Sequence, residues 1–323
     1  MVAAVADRCV IGVDVGGTKV LAGVVDEQLA VRHRAQRSPQ DLDTPALLDA
    51  LAKMVLEAVD AVNDDIAGVG FGVPGVMDRR NGTVAASPHL PIGGVRFQAL
   101  MAERLGLPVV VDNDANCAML AEWRHGAAQG CDDAVMLTIG TGIGGGIVSG
   151  GRLLRGASGG AAEIGHMVVD FDGPPCDGDC PGAGHYEWYA SGNAIGRAGQ
   201  VSALAHPGSA LAREHETGRE ITGALVTELA HDGDPYARDA IAEVGRKLGI
   251  GLVSLVNLLN PERIVIGGGA IAAGELLLGP ARTALLEQGL PSMRELAQIV
   301  PARFGADAGV LGAATLAFEE LDS

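Results

Sequence analysis

The chain alternates short β-branched runs with longer segments in which apolar residues recur at helical spacing. Valine- and isoleucine-rich runs flank glycine turns twice, in VIGVDVGGTKVLAGVVD at 10–26 and AVMLTIGTGIGGGIVS at 134–149. Each segment predicts a strand, a glycine turn and a second strand. The two form a weak internal repeat. The pattern therefore predicts duplicated α/β domains, each supplying one glycine turn to a shared cleft.

The rest of the pattern predicts alternating strands and amphipathic helices. One helix is predicted at about 48–62, with Asp41 and Thr44 ahead of it as capping residues. The longest spans about 236–259 and ends before Pro261, because proline stops a helix. Other predicted elements are strands at 66–73, 108–111, 263–266 and 298–304, helices at 97–105, 115–125, 274–288 and 310–321, and loop with short strand at 78–95.

Composition and charge narrow the class of protein. A chain of 323 residues can bury a large core in two lobes. The formal net charge of −17 argues against nucleic-acid binding, which needs basic patches. No basic-then-apolar leader and no 18-residue apolar run occur, so we expect a cytoplasmic protein that does not bind a membrane. Cys9, Cys117 and Cys131 lie in or beside apolar segments and are predicted to be small buried hydrophobes.

Each glycine turn could bind an anion, because glycine lets backbone N–H groups converge. The first turn, DVGGTK at 14–19, adds the hydroxyl of Thr18 and the charge of Lys19, whereas the second, at 138–142, adds hydroxyls only. Neither fits a P-loop or a Rossmann motif, since each leads into a strand, and a plain hairpin is the alternative for either alone. Together they favour a phosphate site, in which Asp14 would hold Mg²⁺ through water.

The segment DNDAN at 112–116 lies at a predicted junction between a strand and a helix. A single Asp or Asn would suffice to cap the helix, and here four of the five residues are polar. A carboxylate at the end of a strand, facing a cleft, is also a good general base for a hydroxyl. The pattern alone leaves helix capping and general-base catalysis both open.

The segment EIGHMVVDFDGPPCDGDCPGAGHYE at 163–187 concentrates metal ligands between two acids, Glu163 and Glu187. Four protein ligands would make a closed, structural zinc site with no open position for a catalytic water. The alternative is a solvated loop with two unpaired thiols. The four ligands would be His166, Cys176, Cys180 and His185.

These motifs resemble the ROK family (repressors, open reading frames and sugar kinases), and in particular its bacterial glucokinases. The resemblance spans nearly the whole chain, with the motifs in order, and DNDAN paired with EIGH is highly specific. The matching segments are DVGGTK at 14–19, GVPGVMD at 72–78, DNDANCAMLAE at 112–122, IGTGIGGGIV at 139–148, the stretch 156–166 ending in EIGH, the cysteine–histidine loop to Glu187, and IVIGGG at 264–269.

The resemblance implies the actin-like ATPase (ribonuclease H-like) fold, in which duplicated α/β domains form two lobes around a cleft. We expect residues 1–114 to form the smaller lobe, joined by the C-terminal helix at about 307–323. Residues 115–306 would form the larger lobe, which includes the zinc-binding loop 166–187. The resemblance also implies a homodimer or homotetramer.

The activity that the resemblance implies is phosphoryl transfer from ATP, with Mg²⁺, to the 6-hydroxyl of a hexose, glucose first. Asp114 would be the base for that hydroxyl. The sugar would also be bound by Gly75, Asn113, Glu163, His166 and Glu187. The phosphates would be held by Gly16, Gly17, Thr18, Lys19, Thr141 and Gly142, and the adenosine would lie over Gly267, Gly268 and Gly269.

Two positions depart from the usual family pattern. The family motif C-x-C-G-x-x-G-C-x-E gains two residues between Cys176 and Cys180 here, and His185 replaces its third cysteine. Since histidine also binds zinc, we expect the metal to persist. His89 stands where the family often has asparagine, in a loop that borders the sugar.

Several related functions share these motifs. Kinases for fructose, mannose, N-acetylglucosamine or N-acetylmannosamine are alternatives, and polyphosphate could replace ATP. From other classes, the chain could be a sugar-responsive transcription regulator or a sugar-binding protein without activity. The first predicted strand begins near residue 9, which we expect to leave no room for a DNA-reading helix.

Overall fold

The two glycine turns lie in two sheets of the same build. The computed structural model describes residues 8–87, 90–178 and 180–321. Its strands are β1 (Arg8–Val15), β2 (Val20–Asp26), β3 (Val31–Arg37), β4 (Asp65–Val73), β5 (Val76–Asp78), β6 (Thr83–Ala86), β7 (Val109–Asn113), β8 (Ala134–Ile139), β9 (Ile143–Ser149), β10 (Arg152–Leu153), β11 (Arg263–Gly267) and β12 (Gln298–Pro301).

Among the described residues, a helix lies at each of the six places where the sequence predicts one, together with five helices that were not predicted individually. The helices are α1 (Thr44–Asp60), α2 (Phe97–Leu105), α3 (Asp114–His125), α4 (Tyr186–Ala190), α5 (Gly192–Ala205), α6 (Ala210–Glu216), α7 (Gly223–His231), α8 (Pro235–Leu259), α9 (Glu275–Gln288), α10 (Pro291–Arg294) and α11 (Ala308–Leu321). The predicted strand at 298–304 ends earlier, at Pro301. The capping residue of α1 is Asp43, whose side chain accepts from Ala46 N, so the prediction of Asp41 and Thr44 as caps was wrong.

The strand orders of the two sheets correspond position by position. They are β3-β2-β1-β4-β7 and β10-β9-β8-β11-β12. In each sheet the strand before the glycine turn pairs antiparallel with the strand after it and parallel with a later strand. This correspondence confirms the duplicated α/β build that the repeated strand–turn–strand pattern predicts.

The described residues belong to two compact units. The first is drawn from Met1–Gln129, Leu153–Ala162 and Arg303–Ser323, and the second from Gly130–Arg152 and Glu163–Ala302. The first unit therefore runs past residue 114, where the sequence placed its boundary. The reason is that α3 packs closely on α11: a Cβ at Gly312 would lie 3.0 Å from Cys117 Cα.

In the first unit, α1 and α11 pack with the sheet. Leu47, Leu51 and Val55 of α1 are buried and belong to the same apolar core as β1 and β4. Helix α11 approaches the sheet backbone directly, since a Cβ at Gly70 would lie 2.7 Å from the Ala313 carbonyl carbon. Glycine in β4 is therefore required for this helix to reach the sheet.

In the second unit, pairing of the strands places two glycine segments side by side. Strand β8 pairs with β9 through Ile139 and Ile143, on either side of the second glycine turn. It also pairs in parallel with β11, where Gly267 stands opposite Thr138. The glycine run after β11 therefore lies beside the glycine turn after β8.

Cys9, Cys117 and Cys131 are buried and lie outside any disulfide, which confirms the prediction made for them. Within residues 8–87, 90–178 and 180–321, every helix is too short or too polar to cross a lipid bilayer.

Candidate active site

In the first unit, the DNDAN segment joins β7 to α3, and Asn113 caps the helix. The Asn113 side chain accepts a hydrogen bond from Asn116 N at 3.0 Å and donates one to the Gly75 carbonyl oxygen at 3.1 Å. Asp114, the first residue of α3, is half-buried, and its carboxylate accepts from Ala115 N at 2.9 Å. Since Asn113 serves as the N-cap, the Asp114 carboxylate is not needed for that purpose.

Asp112 is the buried member of this segment. Its carboxylate accepts hydrogen bonds from Asn113 N at 2.8 Å, Asn116 Nδ2 at 3.3 Å and Arg155 Nε at 2.6 Å. Arg79 Nη1 lies 3.9 Å from Oδ2 of the same carboxylate. A buried carboxylate with this many donors holds the backbone of the segment in place rather than facing a substrate.

Asp14 lies near the end of β1, directly before the first glycine turn. Burial, together with the negative charge of Asp114, raises the pKa of Asp14 to about 7, although the positive charge of Lys19 acts in the opposite direction. Two carboxylates whose charges repel each other in this way form a site that favours a divalent cation. A Mg²⁺ ion near Asp14 would offset this repulsion.

The start of α11 leaves space for the Asp14 side chain. A Cβ at Gly309 would lie 2.9 Å from Asp14 Oδ1, so only glycine fits there. The turn itself is closed by a hydrogen bond from Gly16 N to the Lys19 carbonyl oxygen at 2.9 Å. Thr18 and Lys19 are exposed, so their hydroxyl and ammonium groups can reach a ligand.

In the second unit, the turn between β8 and β9 contacts Glu187. Ile143 N donates a hydrogen bond of 2.6 Å to Glu187 Oε2. A Cβ at Gly142 would lie 2.7 Å from Glu187 Cδ, and one at Gly165 would lie 3.2 Å from Oε2. The Glu187 carboxylate therefore occupies a space that two glycines leave open.

A cavity of about 470 Å³ lies beside this turn, within the second unit. Thr141 of the turn and Gly269, which follows β11, both line it. Gly268 has a φ of +83°, and a Cβ there would lie 2.6 Å from the Ile139 carbonyl carbon. Other lining residues include Gly140, Gly192, Asn193, Thr222, Gly223, Thr227 and Ala270.

The four predicted metal ligands come together in the second unit. One ligand atom from each of His166, Cys176, Cys180 and His185 lies within 4.8 Å of the others. His166 Nδ1 is 3.3 Å from His185 Nδ1, and Cys180 Sγ is 3.8 Å from His185 Nε2. Two thiols and two imidazoles at this separation form a donor set that suits zinc.

The backbone around the two cysteines also fits a metal. Gly178 N lies 3.4 Å from Cys176 Sγ, and Gly182 N lies 3.2 Å from Cys180 Sγ. Hydrogen bonds from backbone N–H groups favour the thiolate, which is the form that binds metal.

The predicted sugar-binding residues fall into two groups. Gly75, Asn113 and Asp114 lie together in the first unit. Glu163 and His166 are exposed in the second unit, where Glu163 precedes a short 3-10 turn and His166 is its last residue. Glu187 belongs to the same unit. His89 lies outside the described residues.

Two residues of the site were missed by the sequence analysis. Arg155 binds Asp112, and Gly309 leaves room for Asp14. A single arginine in a glycine-rich loop gives no pattern that would mark it. Glycine in the first turn of an apolar helix was a usable signal, because alanine would form that helix better.

Comparison with known proteins identifies the class. Residues 10–320 match the ROK family. A glucokinase from Streptomyces coelicolor is 38% identical over 315 residues, which cover 96% of this chain and 97% of the relative. A xylose repressor from Caldicellulosiruptor bescii is 33% identical over 279 residues, covering 84% of this chain and 69% of the repressor.

A solved structure agrees with these relatives. The crystal structure of a ROK family glucokinase from Streptomyces griseus, in complex with glucose and AMPPNP, is 38% identical with a TM-score of 0.85. The match covers 96% of this chain and 99% of that one. The chain belongs to the ROK family. Its fold is the actin-like ATPase fold, and it is a sugar kinase.

Proposed function

We propose that this sugar kinase is an ATP-dependent glucokinase, which phosphorylates the 6-hydroxyl of glucose. The observation that carries the proposal is the strand-to-helix junction in the first unit. Asn113 caps α3 there, so the half-buried Asp114 carboxylate at the start of the helix is not the capping group. The Streptomyces relatives are glucokinases, one of them solved with glucose and AMPPNP, which supports glucose and ATP as substrates.

Asp114 would act as the general base. Its carboxylate would accept the proton of the 6-hydroxyl while the hydroxyl oxygen bonds to the γ-phosphorus of ATP. The bond from that phosphorus to the β–γ bridging oxygen breaks, so ADP leaves with the electron pair. Asn113 and Gly75, which are hydrogen-bonded to each other, would hold the sugar beside this carboxylate.

Phosphate binding would use the first glycine turn. Its backbone N–H groups at Gly16 and Gly17, the Thr18 hydroxyl and the Lys19 ammonium are suited to phosphate oxygens. Mg²⁺, when bound near Asp14, would neutralise charge that develops on the phosphates. Lys19 already lowers the pKa of Asp14, so it adds positive potential at this place.

The nucleotide would occupy the cavity in the second unit. Its volume of about 470 Å³ is in the range of ordinary small-molecule pockets. Gly269 lines this cavity, and its lack of a side chain would admit the flat adenosine, whereas Gly267 and Gly268 pack against Met136 and Ile139. The Thr141 hydroxyl lines the same cavity and could reach a phosphate oxygen.

Glu163, His166 and Glu187 would bind other hydroxyls of the sugar. In a zinc site of His166, Cys176, Cys180 and His185, the metal would be structural. His166 Nδ1 is the nitrogen nearest His185, so ligation through Nδ1 would leave Nε2 for a sugar hydroxyl. Zinc would thus hold the carboxylates in place and take no part in phosphoryl transfer.

A sugar-responsive regulator is the second candidate, because the chain is also 33% identical to a xylose repressor. The two functions share sugar binding and differ in phosphoryl transfer. A coupled ADP-release assay with glucose, fructose, mannose, N-acetylglucosamine and N-acetylmannosamine separates them, with ATP and polyphosphate compared as donors. We expect the highest kcat/KM with glucose and ATP. A preference for another sugar would refute glucose as the substrate, and sugar binding without turnover would favour the regulator.

A further inference from the structure

Two glycines in the β8–β9 turn have different surroundings. Gly140 has no atom within 4 Å of a Cβ built on it, and it lines the cavity. Gly142 has the Glu187 carboxylate against it, with Cδ 2.7 Å from such a Cβ. Neither glycine has a φ in the left-handed region, so alanine can adopt the backbone conformation of both.

The resemblance implies a phosphate-binding role for Gly142, and the contacts argue against that role. A carboxylate directly beside the Gly142 backbone would repel a phosphate placed there. The next amide, Ile143 N, is also committed to Glu187 Oε2 at 2.6 Å. Anion binding by a glycine turn needs N–H groups that point at the ligand, and this one points at a side chain.

We infer that Gly142 and the Ile143 amide position Glu187 for the sugar and do not bind the nucleotide phosphates. This inference rests on the proposed role of Glu187 in sugar binding. The turn is then divided between two tasks. Gly140 and Thr141 face the cavity, whereas Gly142 and Ile143 hold the carboxylate.

Other contacts fix the turn from both sides. Gly140 N donates to the Gly142 carbonyl oxygen at 2.9 Å, and Gly192 N donates to the Gly140 carbonyl oxygen at 2.8 Å. A Cβ at Gly165 would lie 3.3 Å from the Ile143 carbonyl carbon and 3.2 Å from Glu187 Oε2. The space for the carboxylate is therefore bounded by backbone, and the flexible part is the end of the Glu187 side chain.

Gly142→Ala and Gly140→Ala form a matched pair that tests the inference. In Gly142→Ala the added methyl displaces the carboxylate end and breaks the Ile143 hydrogen bond. We expect the glucose Kd, measured by calorimetry without nucleotide, to rise about tenfold to a hundredfold, as for a lost hydrogen bond to a charged group. The Kd of AMPPNP with Mg²⁺ should stay within about twofold of wild type, because Gly142 then makes no contact with the phosphates. A twofold change in Kd corresponds to less than about half a kcal/mol. Gly140→Ala should leave the glucose Kd unchanged.

The opposite division would overturn the inference: a weakened AMPPNP affinity in Gly142→Ala with normal glucose affinity. If Gly142→Ala weakens the binding of glucose and of AMPPNP equally, a double-mutant cycle with Glu187→Ala shows whether Gly142 acts through Glu187. If Gly142 acts through Glu187, adding Gly142→Ala to Glu187→Ala changes the glucose Kd no further. An additive loss would show that Gly142 acts elsewhere.

A second readout does not depend on the identity of the sugar. Hydrogen exchange of the Ile143 amide, followed by NMR, should accelerate in Gly142→Ala and in Glu187→Ala but not in Gly140→Ala. Unchanged exchange in Gly142→Ala would refute the inference. Failure of wild-type protein to bind glucose would instead refute the proposed substrate, so the two failures are distinguishable.

Discussion

Arg155 donates a hydrogen bond of 2.6 Å from Nε to the carboxylate of Asp112, which is buried at the end of β7. The pair joins the segment Leu153–Ala162 to the strand end that carries Asn113 and Asp114. Arg79 and Arg155 also each lie within ion-pair distance of Glu320. The strand end beneath the proposed base is thus held by an ion-pair network inside the first unit.

Replacing Arg155 with methionine should destabilise the protein. The substitution keeps most of the side-chain volume but removes the main donor to a buried carboxylate, which costs about 3 kcal/mol in comparable buried pairs. Unfolding in urea, followed by circular dichroism, measures this. Arg80→Met is the matched control, because the Arg80–Asp78 pair is solvent-exposed and its loss should cost much less than the loss of the Arg155–Asp112 pair. Equal losses in both variants would show that Asp112 does not depend on Arg155.

The raised pKa of Asp14 predicts a pH-dependent difference between wild type and Asp14→Asn. Unfolding returns the pKa from about 7 to the ordinary 3.8, so between these values the folded state holds a proton that the unfolded state has lost. Wild-type stability therefore falls as pH rises through this range, by up to about 1.4 kcal/mol per pH unit, and levels off above it. Asp14→Asn should lack this contribution, as urea unfolding without Mg²⁺ at several pH values would show.

Two controls define the cause of this pH dependence. Asp43→Asn keeps a capping side chain on α1 and should show the wild-type dependence. Asp114→Asn removes the neighbouring charge that helps to raise the pKa of Asp14. It should therefore narrow the pH range over which the stability of the protein depends on Asp14. Wild-type and Asp14→Asn curves that run parallel from about pH 4 to pH 8 would contradict a raised pKa.

The proposed zinc site predicts a linked loss of metal and sugar affinity. Cys180→Ser removes one of the clustered ligands, so we expect zinc content, measured by elemental analysis, to fall from about one ion per chain to near zero. The KM for glucose should rise or the loop should unfold. Cys131→Ser, outside the cluster, should keep its zinc. Metal-free protein with normal activity and sugar affinity would refute the role given to zinc.

Local patterns were sufficient to predict most of the fold. The strand–turn–strand repeat anticipated two sheets of matching order, and helix α2 begins and ends where apolar spacing placed it. Strand β3 was not predicted, because VRHRAQR has no apolar run and lies at a sheet edge. The first unit extends to Gln129 and not to residue 114, because α3 packs on α11. This packing cannot be predicted from the sequence of either helix by itself.

The site was predictable in its residue types and less so in its contacts. DNDAN left capping and catalysis open, and the structure assigns the cap to Asn113. The four metal ligands were identified from spacing, and the fold brings them together. The contact of Gly142 with Glu187 could not be read from sequence, since 45 positions separate them and tertiary packing, including that of α4 against β9, brings them together.

The most direct test of the account is the kinetics of Asp114→Asn with glucose and ATP. The amide keeps the shape of the side chain but cannot accept the hydroxyl proton, so kcat should fall by about 10²- to 10⁴-fold. The glucose Kd should stay close to wild type, and Asp43→Asn, the same substitution at a helix cap, should keep full activity. A kcat for Asp114→Asn near that of wild type would contradict Asp114 as the general base.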